Sequence, residues 1–344
     1  MKRIIHPWRV VIYVSCLASA LVASILALVG PVADEADFFS YYLHLALGPV
    51  ADALLLTILV CSLGGLIYVG FSLILGAVYH ERDPREFFSR RFLVQKTKSI
   101  LKGVFDVITL GGPVILTLVF VSLSMAYINP VSITRLMDDR IVKWDKALTG
   151  GYPFVVLHTI AFPDWFINAV DFSYMNLPLI LIALALYIFV FHRSVFEEMG
   201  AVFCLSLVIM IFSWQVIPVM SPHDRFIDNV YQLPNSSQME EALKERQPHP
   251  LIQNFLSETR ERKNRSLDGT MPTSTLPSAH VAWAALIVYY AYRTEKRFLW
   301  VLFPIAVLST IGTILFAQHY FVDIPAGILV TALSIYLVRS LGRI

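Results

Sequence analysis

Two short segments late in the chain carry residue types that can move a phosphoryl group. One reads Pro-Ser-Ala-His and ends at His280; the other reads His-Tyr-Phe-Val-Asp and begins at His319. His319 and Asp323 are four residues apart, so on a helix they share a face, and the carboxylate can accept a hydrogen bond from one imidazole nitrogen. The other nitrogen is then a candidate nucleophile, and His280 is a candidate general acid for a leaving alkoxide. Ser278 and the amides that begin a helix suit a phosphate.

This set of residues predicts attack by His319 on a phosphorus ester, a phosphohistidine intermediate, and transfer to water or to another alcohol. The chemistry needs no cofactor and no metal, and the sequence has no convincing metal-ligand cluster beyond these histidines and carboxylates. The His319–Asp323 pair alone also fits a structural hydrogen bond at a helix end. The presence of His280 and Ser278 beside it favours catalysis.

The composition places these residues in a membrane protein. The chain has 344 residues, of which 57% are hydrophobic and 15% charged, whereas soluble domains are near half apolar and a quarter charged. Its mean hydropathy is +0.66. The net charge of +2, without a basic patch among aromatic residues, indicates no nucleic-acid partner. The three cysteines lie in apolar stretches, so no disulfide framework is expected.

Stretches of about 20 apolar residues are long enough to cross a bilayer as helices. We predict an all-α polytopic protein with about eight transmembrane helices. The stretches lie near residues 9–31, 50–79, 104–128, 173–191, 198–220, 279–292, 298–316 and 320–338.

Charges between the stretches predict the orientation. With the N-terminus in the cytoplasm, the inner segments carry 16 Lys and Arg residues and the much longer outer segments carry 11. His280 and His319 then lie on the same outer side at similar depth, where the two side chains can meet. Ionisable groups buried in a membrane cost about 2.5–3.5 kcal/mol each, so they tend to be functional.

The chain divides into two predicted units. Residues 1–103 form an N-terminal two-span unit with a cytoplasmic interfacial helix over 82–100, for which contact with anionic lipid and a plain basic connector are equally good interpretations. Residues 104–344 contain the two motifs. Their outer loop, 221–278, is expected to be ordered, with a capping box from Ser237 to Glu240 and an apolar stripe at helical spacing. His223 and His249 in this loop are expected to be solvated.

The two motifs resemble those of the type 2 phosphatidic acid phosphatase superfamily, whose second motif is Pro-Ser-Gly-His and whose third ends His-x-x-x-Asp. The resemblance implies a six-span catalytic core over roughly 104–344, with His319 as nucleophile, Asp323 as its orienting partner and His280 as acid. The sequence His-Tyr-Phe-Val-Asp and the segment Trp-Asp-Lys-Ala-Leu at 144–148 resemble those of one branch of the superfamily, the fungal inositol phosphorylceramide synthases and their bacterial relatives.

The chain departs from the family pattern where cations should contact the phosphate. The Lys-x6-Arg-Pro motif is absent, and the usual Ser-Arg ahead of the third motif is replaced by Gly312 and Thr313. Arg225 is our first candidate to replace the missing cations at the phosphate, followed by the basic group Arg262, Lys263 and Arg265. Arg225 equally fits a cation that snorkels to the interface.

Two further residues are predicted to contact substrate. Gln318 could face the site, although packing is as good an interpretation. Asp145 could bind a headgroup hydroxyl or cap a helix.

The sequence therefore predicts an integral membrane lipid phosphatase or phosphotransferase with its site on the periplasmic or lumenal side, in a bacterial inner membrane rather than the Golgi. The missing cations favour phosphodiester transfer over monoester hydrolysis. The alternative is a non-catalytic lipid-binding protein or a transporter, although the spans lack the paired, broken symmetry that transporters tend to have. The sequence leaves open the lipid, the acceptor and the oligomeric state.

Overall fold

The computed structural model describes residues 7–29, 109, 111–128, 135–267 and 274–342. Within these ranges the protein is helical, and outside the helices Val219 and Ser274 form one isolated parallel bridge. The helices, numbered here in chain order, are α1 (Pro7–Val29), α2 (Gly112–Ile128), α3 (Asp138–Thr149), α4 (Pro153–Thr159), α5 (Asp164–Met175), α6 (Leu177–Phe191), α7 (Arg193–Val216), α8 (Ser237–Glu245), α9 (Pro250–Leu267), α10 (Ala279–Thr294), α11 (Leu299–Leu315) and α12 (Asp323–Leu341).

Four of the described segments are long and apolar enough to cross a membrane. They are Pro7–Ile25, Arg193–Val216, Lys296–Leu315 and Asp323–Leu341. Large apolar side chains such as Trp300 and Leu329 point outward from these helices, as expected of a surface that meets lipid. The protein is thus an integral membrane protein by the length and composition of its helices.

The count of eight spans stays a prediction. The stretch at 50–79 and the interfacial helix at 82–100 lie outside the described residues. The stretch predicted at 173–191 is divided between α5 and α6, which meet at an angle of 56° and count as a fifth candidate span only if taken together. Pro178 in the first turn of α6 accounts for the break, because its ring cannot continue a preceding helix.

Helix α7 is the central span. In its most apolar window 61% of the residues are buried inside the protein, against 28–33% for the other three candidates. It packs against α1, α2 and α12, while α10 lies between α11 and α12. A core cluster that includes Ile188, Cys204, Leu286 and Tyr290 joins α6, α7 and α10.

The described part of the outer loop contains the helices α8 and α9. Helix α8 begins one residue earlier than the sequence pattern indicated, since Ser236 and not Ser237 accepts the capping bond from the Met239 amide. In α9, Ile252 and Leu256 of the predicted stripe are buried against α5. The prediction that His223 is solvated is wrong: only 2% of this residue is exposed.

Candidate functional site

The first turns of α10 and α12 bring the two motifs together. The ring centroids of His280 and His319 are 6.3 Å apart, with the ring planes tilted by 60°. The Ser278 amide donates to the carbonyl of Asp323 at 3.4 Å, which joins the two helix starts directly. The four residues singled out from the sequence therefore lie at one end of the bundle.

His319 is held by two acceptors on the same nitrogen. Its Nδ1 lies 3.1 Å from Asp323 Oδ2 and 3.0 Å from the Thr275 carbonyl. A carbonyl and an ionised carboxylate only accept hydrogen bonds, so Nδ1 carries the proton. Nε2 is then the nitrogen with the lone pair, which is the tautomer a nucleophilic histidine needs.

Asp323 is itself fixed from several sides. The residue is fully buried, and its Oδ2 also accepts a 2.9 Å bond from the Tyr320 amide. The residues between His319 and Asp323 therefore form a tight turn around one carboxylate oxygen. This turn sets the orientation of the His319 ring before any substrate binds.

His280 is positioned by an aromatic ring that the sequence patterns did not indicate. Tyr174, near the end of α5, stacks on His280 with the centroids 4.2 Å apart and the planes within 5° of parallel. Trp283, one turn along α10, approaches the same imidazole at 5.8 Å. The stack limits rotation of the His280 ring, so the ring faces His319 in a defined direction.

Ser278 is the N-cap of α10. It is fully buried, and its Oγ accepts a 3.4 Å bond from the Val281 amide. The predicted contact between this hydroxyl and a phosphate therefore shares the oxygen with a capping bond. The Ala282 amide donates to the Ser278 carbonyl at 3.1 Å, whereas the amides of Ala279 and His280 begin the helix and have no acceptor within it.

Helix α3 holds the turn that carries His319. Asp145 accepts the amides of Phe321 at 2.8 Å and Val322 at 2.9 Å, one on each carboxylate oxygen. Of the two interpretations of Asp145, this geometry is that of the helix cap; a contact with a headgroup stays a prediction. Burial raises the pKa of the Asp145 carboxyl, against the lowering effect of the two amides.

A second aspartate of α3 supports the same turn. Asp138 Oδ1 accepts from the Tyr320 hydroxyl at 2.8 Å and from the Met220 amide at 3.0 Å. Burial raises the pKa of Asp138 to about 7, and the two hydrogen bonds only partly oppose that effect. No sequence motif identified Asp138, because its partners lie far along the chain.

The guanidinium of Arg225 is engaged in hydrogen bonds with residues other than the two histidines. Its side chain is almost fully buried and donates to Asp139 Oδ1 at 3.0 Å, to Asn235 Oδ1 at 3.0 Å and to the Pro234 carbonyl at 3.2 Å. These bonds tie α3 to the outer loop. A role in phosphate binding remains a prediction for Arg225.

The remaining predicted contacts are less defined. The Gln318 amide donates to the Phe316 carbonyl at 2.9 Å, which is a local packing bond. The side chains of Arg262, Lys263 and Arg265 lie outside the described residues.

One group among the described residues has the composition of a metal site: His223, Asp224 and Asp228, in and just after a π-helical turn over His223–Ile227. It is separate from the four motif residues in sequence.

Comparison with known families agrees with the motifs. The family model of the PAP2 superfamily matches residues 139–337, more than half of the chain, and this range includes both motifs as well as Asp145 and Arg225. No curated protein and no solved structure matches the chain. Members of this superfamily are generally phosphatases or phosphotransferases that act on phosphate esters. On the strength of the family match, the chain belongs to the PAP2 superfamily.

Proposed function

We propose that the protein transfers the phosphoryl or phosphodiester group of a membrane lipid through a phosphohistidine on His319 Nε2. The observation that carries this proposal is the double acceptor at His319 Nδ1, which fixes the proton there and directs the lone pair of Nε2 outward from the pair. Asp323 orients His319 and stabilises the positive charge that develops on the ring. Superfamily membership supports the coarser part of the proposal, a phosphatase or phosphotransferase that acts on phosphate esters.

In the first step, His319 Nε2 forms a bond to phosphorus as the bond to the leaving oxygen breaks. His280 donates a proton to that oxygen, so the leaving group departs as a neutral alcohol. A centroid separation of 6.3 Å leaves room for a phosphorus atom at about 3–3.5 Å from the nucleophile and for a leaving oxygen within hydrogen-bond reach of His280. In the second step, His280 takes a proton from water or an acceptor alcohol, whose oxygen forms a bond to phosphorus as the bond between phosphorus and His319 Nε2 breaks.

Headgroup transfer is the form of this reaction that we favour. A phosphomonoester carries close to two negative charges and needs cations around it, whereas a diester carries one. The family's usual Ser-Arg is Gly312 and Thr313 here, and the Arg225 guanidinium donates to Asp139, Asn235 and Pro234. We extend this to the branch that resembles inositol phosphorylceramide synthases, with a polyol or lipid hydroxyl as acceptor.

We place the reaction on the periplasmic or lumenal face of the membrane, at headgroup level. The argument is the excess of Lys and Arg in the short segments of the opposite side. The chemistry as proposed uses the two histidines and the carboxylate and requires no metal at the phosphorus. An anionic lipid at the cytoplasmic face remains a proposed partner of residues 82–100.

The test is a comparison of wild type with His319→Ala in detergent or nanodiscs. Each is incubated with a panel of phospholipids and isoprenyl phosphates plus isotope-labelled inositol, and the products are analysed by lipid mass spectrometry and a phosphate assay. A new headgroup-bearing lipid formed by wild type alone identifies a transferase, and free phosphate alone identifies a phosphatase. Equal turnover in both proteins would overturn the proposal. No turnover in either, with lipid bound by both, would favour the lipid-binding alternative.

A further inference from the structure

The outer loop contains a buried group of three potential metal ligands away from the catalytic motifs. His223 and Asp224 are each only 2% exposed, and the side chain of Asp228 is 10% exposed. One ligand atom from each residue can be chosen so that all three atoms lie within 4.8 Å of one another. Two carboxyl groups and an imidazole are thus clustered at a site that is almost fully shielded from solvent.

The imidazole of His223 is not satisfied by ordinary hydrogen bonds. Its Nδ1 lies 3.5 Å from Asp224 Oδ1 and its Nε2 lies 3.5 Å from Asp228 Oδ2. Both distances exceed the usual 2.7–3.2 Å range of N–H···O bonds, and Nδ1 has no hydrogen-bond partner in the described part of the chain. An ion bonds only one ring nitrogen, and a carboxylate oxygen about 3.3–3.5 Å from that nitrogen is where a second ligand lies when both bonds are about 2.0–2.2 Å in tetrahedral geometry. The other aspartate then supplies the third ligand atom within the 4.8 Å group.

The opposite oxygens of the two carboxylates are occupied. Ser221 Oγ donates to Asp224 Oδ2 at 2.7 Å, and Arg260 Nη1 contacts Asp228 Oδ1 at 3.4 Å. Arg260 is 58% exposed, so solvent weakens its attraction for the carboxylate. Arg246 acts on Asp228 only at longer range. Ser221 therefore orients the Asp224 oxygen that faces His223, as outer-shell partners of metal ligands commonly do, whereas the positive charge of Arg260 competes with an ion for Asp228.

We propose that His223, Asp224 and Asp228 bind one divalent transition metal ion, zinc or manganese, that stabilises the outer loop. One ring nitrogen and two carboxylate oxygens suit these ions, whereas magnesium and calcium prefer all-oxygen sets.

The ion has a structural route to the catalytic turn. The His223 amide donates to the Ala317 carbonyl at 2.9 Å, and Ala317 has a φ of +50°. The next two amides, of Gln318 and His319, both donate to the Thr313 carbonyl at 3.0 Å. A metal at His223 would therefore hold this turn in place. The ion takes no part in the phosphoryl chemistry proposed above, and this inference does not rest on that proposal.

The test measures metal content and thermal stability of the full chain without an affinity tag. The protein is stripped with a chelator, reloaded with zinc or manganese, freed of excess ion and analysed by inductively coupled plasma mass spectrometry. We expect about one ion per wild-type chain and a rise in Tm on reloading, because a ligand that binds only the folded state stabilises it. His223→Gln and Asp228→Asn should lose both effects. His249→Gln should keep them, because His249 pairs with Asp164 at 3.2 Å, outside the group.

Arg260→Gln tests the proposal without removing a ligand. If a metal binds, loss of the competing guanidinium should tighten its affinity several-fold in a calorimetric titration. If the carboxylates are instead neutralised by an imidazolium of His223 and by Arg260, the variant should bind no ion and should only lower the Tm. Wild-type protein that retains no more ion than His223→Gln would overturn the proposal.

Discussion

At the scale of single residues, the two ring nitrogens of His319 have different environments. Nδ1 is bound to Asp323 and to the Thr275 carbonyl, so its proton has a fixed position. His280 has no such carboxylate in the described contacts and is held instead by the face of Tyr174. This difference suits the roles that we propose, with His319 as nucleophile and His280 as acid.

This difference predicts how His280→Gln depends on the leaving group. With an alkyl or lipid alcohol as leaving group, we expect kcat to fall about 10²–10⁴-fold, because a general acid contributes that much. With a nitrophenyl ester, whose leaving group departs as a stable anion, the first-turnover release of nitrophenol should keep most of its rate, although later turnovers still need His280 as the base of the second step. His319→Gln should be inactive on both substrates, and single-turnover kinetics on the two esters will check this. An equal loss of the first-turnover rate for His280→Gln on both esters would contradict the role of acid.

Asp138 predicts a pH dependence of stability. Its pKa is raised from 3.8 to about 7 in the folded protein, so the folded state binds the proton more tightly than the unfolded state. Between about pH 4 and pH 7 the unfolded state therefore binds fewer protons, and the free energy of unfolding falls as pH rises, by up to a few kcal/mol.

We expect Asp138→Asn to flatten this part of the profile and to raise the Tm near pH 7. An amide keeps the acceptor for Met220 and Tyr320, and Asp138 Oδ2 has no hydrogen-bond partner in the described part of the chain. Thermal unfolding in detergent between pH 4 and pH 8 measures the effect, with the exposed Glu241→Gln as control. If the Tm of wild type rises steadily from pH 4 to pH 8 and Asp138→Asn gives the same profile, the predicted effect of Asp138 is excluded.

The candidate site residues follow from two sequence motifs, but the residues that hold them in place do not. His319, Asp323, His280 and Ser278 lie in two local patterns whose spacing has a direct meaning on a helix. Tyr174 and Asp138 act through space on residues more than a hundred positions away, and a tyrosine in an apolar stretch looks like any other aromatic residue of a span. The sequence predicts Arg225 as a substitute cation for the phosphate, but its acceptor Asp139 is 86 positions away and is identified only by the three-dimensional structure.

At the scale of elements, the site depends on how closely α12 approaches α10. Gly327, one turn into α12, lies against the start of α10: a Cβ added there would be 2.7 Å from the Ser278 carbonyl oxygen and 3.1 Å from Val281 Cβ. The Thr331 hydroxyl donates to the Ala282 carbonyl at 3.0 Å, one turn further along the same contact. The close packing lets Asp323 reach the Ser278 amide.

Gly327→Ala should therefore damage both stability and catalysis. The methyl group meets backbone, which cannot rotate away, so α12 must shift from α10. We expect a loss of about 1–3 kcal/mol, as for other overpacked positions, together with a clear fall in kcat. Gly112→Ala in α2 is the matched control, because an added Cβ there meets nothing within 4 Å. Thermal unfolding and turnover are the measurements, and a Gly327→Ala protein as stable and active as the control would refute this packing argument.

The elements also mark where sequence reasoning stops. Apolar length predicted the spans that became α1, α7, α11 and α12, since a bilayer demands such stretches. It did not predict α3, a short polar helix with buried aspartates on one face. It also joined the end of α5 to α6, because apolar content does not record the bend at Pro178.

At the scale of the whole molecule, the two motifs and a group of paired Arg and Glu residues lie at opposite ends of α10. The candidate catalytic residues lie at the starts of α10 and α12. The other end of α10 carries Arg293, which pairs with the buried Glu198 of α7, and Arg9 of α1 pairs with the neighbouring Glu197. This agrees with our placement of the basic segments in the cytoplasm and the site outside.

The orientation can be tested by cysteine labelling in intact cells. In a background without Cys16, Cys61 and Cys204, Ser257→Cys in the outer loop should react with a membrane-impermeant maleimide from outside. Lys296→Cys, between α10 and α11, should react only after the membrane is permeabilised. Both positions avoid the proposed site, so retained activity verifies the fold. The reverse labelling pattern would invert the proposed topology.

The contact between Asp145 and the amides of Phe321 and Val322 also implies an order of assembly. It joins residues that are 176 and 177 positions apart in the chain. During synthesis α3 forms long before α12 exists, so its carboxylate waits for an amide pair that appears only with the last described helix. His319 therefore acquires its geometry only after α12 has been made, and a chain that still lacks α12 lacks both Asp323 and the amide pair that Asp145 binds.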